Sequence, residues 1–223
     1  MKTHLMYDDL LNYLKNPVIC KNEKPKFSLF LFLFISYFII AIGIGFFAAI
    51  IVLLAHIKRT PLPFHSRAVE ILYVVMIGPV LEEILFRSWL KFKTVNIVLL
   101  FITLTFFLLN NTTGHPRPYF IFGSAALLFI LGTSLSLFKR ENMASFIQKH
   151  FKFFFYASSL VFGLGHATNF TGHPWLILAL SPILAGPQIV LGFLLGYIRM
   201  KHGLVYSMLF HMLVNTIIIF QFF

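Results

Sequence analysis

Long apolar runs separated by short polar and basic segments dominate the chain. A membrane-spanning helix needs about 20 apolar residues. On that rule seven runs are candidate helices: residues 27–55, 68–90, 96–110, 119–138, 153–170, 176–200 and 204–223. The third is short, and the first is long enough to hide a further span. The sixth carries Pro182, Gly186 and Pro187, which predicts a break in its first third. The pattern predicts an all-α polytopic transmembrane helical bundle of about seven to eight spans. Residues 1–26 form a cytoplasmic N-terminal segment in this scheme, and 27–223 the transmembrane helical domain. Leu5, Leu10, Leu11 and Leu14, set among polar residues, predict a short helix on the membrane face. The first apolar run far exceeds the roughly 7–15-residue core of a cleavable signal peptide, so it reads as a span. No internal repeat, soluble domain or low-complexity linker is visible.

Composition narrows the solvent. The chain of 223 residues is 59% hydrophobic and 11% charged, with mean hydropathy +0.87 and 29 phenylalanines. A soluble domain carries about 25% charged residues, so lipid is the expected main solvent. The net charge of +11 would suggest nucleic acid in a soluble protein. Here the basic residues sit mostly in short segments between apolar runs, which fits orientation in an anionic membrane and argues against nucleic acid. With the N-terminus inside, 13 basic residues fall in inner segments (Arg199 and Lys201 among them) and 4 in outer loops, with Arg87 within a span. That asymmetry predicts a multi-pass cell-membrane protein with a cytoplasmic N-terminus. The single cysteine, Cys20, can form neither an internal disulfide nor a cysteine cluster and reads as a free thiol.

Three polar groupings stand out within the apolar runs. In Glu82-Glu-Ile-Leu-Phe-Arg87, each charge at mid-bilayer costs about 2.5–3.5 kcal/mol on insertion scales. Glu83 and Arg87 are four apart and share a helix face, so they can pair. Glu82 lies about 100° round from Glu83 and is left free to face a cavity. Phe162 and His166 are also four apart, beside Gly163 and Gly165, small residues that permit close helix approach. His211 and Asn215 form a third such pair, with Ser207 extending the stripe. Each grouping alone is compatible with ion pairing or interhelical hydrogen bonding. Together they could form one buried site in which a carboxylate and a histidine activate water. A second histidine and an amide would then donate to an oxyanion. His56, His65, His150 and His202 flank the spans and read as interfacial. Gly192 and Gly196 form a small-residue packing face.

These groupings resemble the EExxxR, FxxxH and HxxxN motifs of the CPBP family, the CAAX proteases and bacteriocin-processing enzymes also called the Abi family. The motifs occur in that order, and the family-like core runs over about residues 68–220. The resemblance implies an intramembrane endopeptidase in which Glu82 and His166 activate water. His211 and Asn215 would stabilise the oxyanion, with Glu83, Arg87 and Phe162 in support. It also implies a membrane-associated or lipidated peptide substrate, processed in CAAX-type cleavage, peptide maturation or bacteriocin self-immunity. No cofactor is required by a glutamate mechanism. The family has also been described as metal-dependent, and two histidines with a carboxylate are a zinc-capable set.

Two rival classes use the same residues. A proton-coupled transporter employs intramembrane Glu and His chains, and the interrupted sixth run fits a carrier. A non-catalytic membrane scaffold would use them as interhelical glue. One geometric expectation tests the site directly. A fifth helix starting near Phe153 puts His166 about 20 Å along its axis, deeper than Glu82. A start near Tyr156, or a break in the second helix at Pro79, narrows that mismatch.

Overall fold

The apolar run after Lys26 becomes helix α2 (Phe27–Leu54), 28 residues long. Leu29, Leu33 and Tyr37 repeat every four residues and are buried, while Phe27, Ile35, Ile39, Ile42, Phe46, Phe47, Leu53 and Leu54 lie exposed. A helix that is apolar on every side but packed on only one needs a non-aqueous neighbour for the rest of its surface. The computed structural model describes residues 3–60, 66–110 and 140–219. Of the described helices, α2 is long and apolar enough to cross a membrane by itself. The predicted span at 119–138 lies outside the described residues.

Before α2, helix α1 (Thr3–Lys15) buries Met6, Leu10 and Tyr13 against the bundle. Leu5 and Leu11 are exposed on the outer side of this helix. The docking stripe follows 3.6-residue periodicity through Met6, and Asp9 fixes its register. The Asp9 carboxylate accepts from Tyr197 Oη at 2.6 Å and from Lys201 Nζ at 2.8 Å.

The second predicted span is a composite. It runs as α3 (Arg67–Leu72), a π-helical turn over Tyr73–Ile77, and α4 (Gly78–Arg87). Pro79 is the cause, because proline has no N–H to donate into the preceding turn. Helix α5 (Thr94–Asn110) follows. After α6 (Arg140–Lys149) come α7 (Phe151–Gly165) and a 3₁₀ turn over His166–Asn169. The fifth predicted helix therefore ends sooner than expected. Its final residue, Phe170, opens strand β2 (Phe170–Thr171), paired antiparallel with β1 (Lys58–Arg59) after α2. The sixth run does break. Helix α8 (Pro174–Leu184) and helix α9 (Gly186–Lys201) meet at Ala185 with a bend of 49°. Together they pass the same length and hydropathy test that α2 passes alone. Gly203, at φ +112°, turns the chain into α10 (Leu204–Ile219).

Helices α7 and α9 cross at glycines. A Cβ on Gly163 would lie 2.5 Å from Ile189 Cα, one on Gly192 2.6 Å from the Ser159 carbonyl oxygen, and one on Gly196 2.8 Å from the Phe155 ring. The Gly192–Gly196 packing face is therefore used, and Gly163 completes it. Gly165 faces open space.

Two charged or titratable residues depart from their expected surroundings. Arg199, counted among the inner segment charges, is buried. It donates to the carbonyl oxygens of Arg87 at 3.1 Å and Ser88 at 3.3 Å, capping the negative end of α4. His202, expected at an interface, is also buried, and its Nδ1–H donates to the Glu23 carbonyl at 2.8 Å. Nearby, Lys91 Nζ donates to the carbonyls of Cys20 at 2.7 Å and Met200 at 2.8 Å, and it also reaches Asn22 Oδ1. One ammonium thus joins the segment after α1, the segment after α4 and the end of α9.

Candidate active site

Helix α4 sends its two glutamates to different surroundings. Glu83 and Arg87 are fully buried, with Oε1 to Nη1 at 3.1 Å. That contact lies outside hydrogen-bond geometry, so charge attraction in a low-dielectric interior holds it. The Arg87 guanidinium also stacks 3.8 Å from the centroid of the Phe162 ring, a desolvated cation–π contact. Ser207 Oγ donates to Glu83 Oε2, with the Leu195 carbonyl 3.0 Å away as a second acceptor. The end of α4 is tied down by Arg199 and by Ser158 Oγ, which donates to the Phe86 carbonyl.

Glu82, one helical step away, stays 28% exposed. Its carboxylate lies between two imidazoles. His166 Nε2 is 4.0 Å from Oε1, and His211 Nε2 is 3.6 Å from Oε2. His166 is 24% exposed and His211 only 2%, so one edge of the site is open and the other closed. The second ring nitrogen of His166 defines its tautomer. His166 Nδ1 is 2.9 Å from the Phe162 carbonyl. A carbonyl only accepts, so Nδ1 carries the hydrogen, and in the neutral ring Nε2 presents a lone pair towards Glu82. His211 Nδ1 is 3.4 Å from Glu83 Oε1, a close contact outside hydrogen-bond geometry. The Phe162 ring packs edge-on against both, at 5.0 Å from the His166 ring and 5.6 Å from the His211 ring.

The expected depth mismatch is narrowed: the helix carrying Phe162 starts at Phe151, not later near Tyr156, but the second helix does break before Pro79. Tyr156 Oη donates to the Leu14 carbonyl at the end of α1, and Phe155 packs on Tyr13. The second turn of α7 therefore stands beside α1. Ser158 is the residue level with Phe86. From there His166 is about 12 Å along α7 and Glu82 about 6 Å along α4, a difference that long side chains bridge.

Asn215 lies one turn from His211 on α10. Its Nδ2 donates to the Val74 carbonyl, in the π-turn, at 2.9 Å. Glu82, His166 and His211 thus converge from three elements, with Glu83, Arg87 and Phe162 packed behind them, while Asn215 is joined to the turn that precedes Glu82. Arg199 and Ser158 were not anticipated. Arg199 could have been found as a charge between Ile198 and Met200 at the end of an apolar run. Ser158 carries no signal in its own neighbourhood.

Among the described residues, no three His, Cys, Asp or Glu side chains are grouped to hold a metal ion. The separations of 3.6 and 4.0 Å around Glu82 are wider than the roughly 3.3 Å between ligands about 2.0 Å from a tetrahedral zinc.

A family model described as type II CAAX prenyl endopeptidase Rce1-like matches residues 63–217. No curated protein and no solved structure matches the chain.

Proposed function

We propose that this chain, which belongs to the Rce1-like type II CAAX prenyl endopeptidase family, cleaves a membrane-associated or lipidated peptide with water activated by Glu82 and His166. The observation that carries this reading is the placement of a partly open carboxylate between two imidazoles contributed by separate helical elements. Glu82 Oε1 and the His166 Nε2 lone pair are both acceptors. A water molecule donating one hydrogen to each would sit between them. Glu82 takes the proton as the water oxygen bonds to the scissile carbonyl carbon, and that proton then passes to the leaving amine as the carbon–nitrogen bond breaks.

The carbonyl oxygen becomes an oxyanion and needs donors. His211 Nε2 is one when it carries a hydrogen, with Glu83 Oε1 3.4 Å from Nδ1. The second amide hydrogen of Asn215, not used by Val74, is the other. Glu83 and Arg87 do no chemistry in this scheme: they hold His211 and the end of α4 in place. The apolar surface of α2 and its neighbours lies in lipid, the N-terminus faces the cytoplasm, and the chain crosses the membrane several times. A substrate reaching the open edge of the site would then carry its lipid in the bilayer.

The test is cleavage of a prenylated CAAX peptide by purified protein in liposomes. Wild type should cleave it, and Glu82→Gln should lose nearly all of that rate. Wild-type turnover by Glu82→Gln would overturn the assignment.

A further inference from the structure

Val74 sits in the π-turn that precedes Glu82, and its carbonyl has lost its helical partners. In an α-helix it would accept from Gly78, but that N–H bonds to the Tyr73 carbonyl instead. In a π-turn it would accept from residue 79, which is proline and has no N–H. A carbonyl left unpaired in an apolar environment is costly. Asn215 Nδ2, from α10, supplies the missing donor at 2.9 Å.

We infer that Asn215 is a positioning residue for Glu82: it closes the proline-opened π-turn and so fixes the rotation of α4 relative to α10. The rotation matters because α4 advances about 100° per residue. An error of one residue in the turn would carry Glu82 towards the position of Glu83, exchanging the open side of the site for the buried one. The same helix, α10, also carries His211. One element thus sets both partners of the Glu82–His211 contact, the imidazole directly and the carboxylate through Val74. This role rests on the proposed active site for its importance to catalysis, but not for its detection.

Two measurements on the full-length protein in detergent test it. The first is a double-mutant cycle on the thermal midpoint. Asn215→Leu should lower the midpoint by about 3 °C, the effect of orphaning one part-buried carbonyl in a chain of this size. In a Pro79→Ala background, where residue 79 regains an N–H for Val74, the same change should cost about 1 °C or less. The second uses Glu82→Cys in a Cys20→Ser chain, read by the labelling rate with a water-soluble thiol reagent. Asn215→Leu should change that rate several-fold. Thr216→Ala should not, since Thr216 Oγ1 bonds only back to Met212 of its own helix at 2.8 Å. Equal midpoint costs in both backgrounds, or a labelling rate indifferent to Asn215→Leu, would overturn the inference. Neither readout uses cleavage. A wild type that cleaves no peptide would count against the protease assignment and leave this test decisive.

Discussion

Glu82 and Glu83 are neighbours in sequence with opposite surroundings. Glu83 is fully buried, beside Arg87, Ser207 and His211. Glu82 is partly open and faces His166 and His211 across gaps of 4.0 and 3.6 Å. One helical step of about 100° separates them. The dry carboxylate is balanced by a cation and orients an imidazole. The open one lies between two imidazoles. Adjacent residues of the same type thus meet opposite surroundings, and in the proposed function the dry one supports the site while the open one activates water.

Substitutions at the two glutamates should separate these roles. Glu82→Gln should reduce peptide cleavage by about 10³-fold while leaving the unfolding midpoint within a degree or two of wild type. Arg87→Ala should do the reverse in kind, because removing one partner of a buried ion pair costs about 3–5 kcal/mol. It should appear as a large loss of stability in detergent, with cleavage falling in step with the folded fraction. A stable Arg87→Ala protein would show that Glu83 does not depend on its cation.

Smaller effects sharpen the boundary between the halves. Gly163 lies on the dry side, where a Cβ would meet the Ile189 backbone, and Gly165 lies beside open space. Gly163→Ala should therefore destabilise by about 1–3 kcal/mol. Gly165→Ala should be neutral or slightly stabilising, since alanine is the better helix former. Equal effects would mean that the α7–α9 crossing is not held by Gly163.

The smallest effect belongs to a charge pair in water. Burial alone would raise the Asp9 carboxyl, but the Lys201 and Tyr197 hydrogen bonds outweigh it and hold the group below its ordinary value. The unfolded chain then takes up this proton first. The stabilisation is present above the ordinary carboxylate range and is lost as pH falls through the lower folded value. Protection factors for hydrogen exchange on α1, corrected for the intrinsic rate at each pH, should fall in acid in wild type. Asp9→Asn should show lower protection already at neutral pH and little further change. The side chain is 48% exposed, so the loss should be a small fraction of that at Arg87.

Part of this was legible in the sequence because it depends on local spacing alone. The interval between Glu83 and Arg87 fixes a shared helix face wherever the helix sits. The run of proline and glycine from Pro182 to Pro187 breaks a helix whatever packs against it. Lipid as solvent for α2 follows from 28 residues without a charge. Family membership followed from three spaced motifs, each too short to be specific by itself.

Other features were decided by contacts between residues far apart in the chain. Arg199 looks like an inner-segment charge until it meets the carbonyls of Arg87 and Ser88, more than 100 positions earlier. His202 reads as interfacial until it finds Glu23. The level of His166 depends on where α7 starts relative to α4, which Tyr156 and α1 set. The sequence by itself determined which residues share a face, because helical geometry is local. Only the tertiary structure decided which faces meet and at what depth, because that follows from the packing of glycines and side chains between helices.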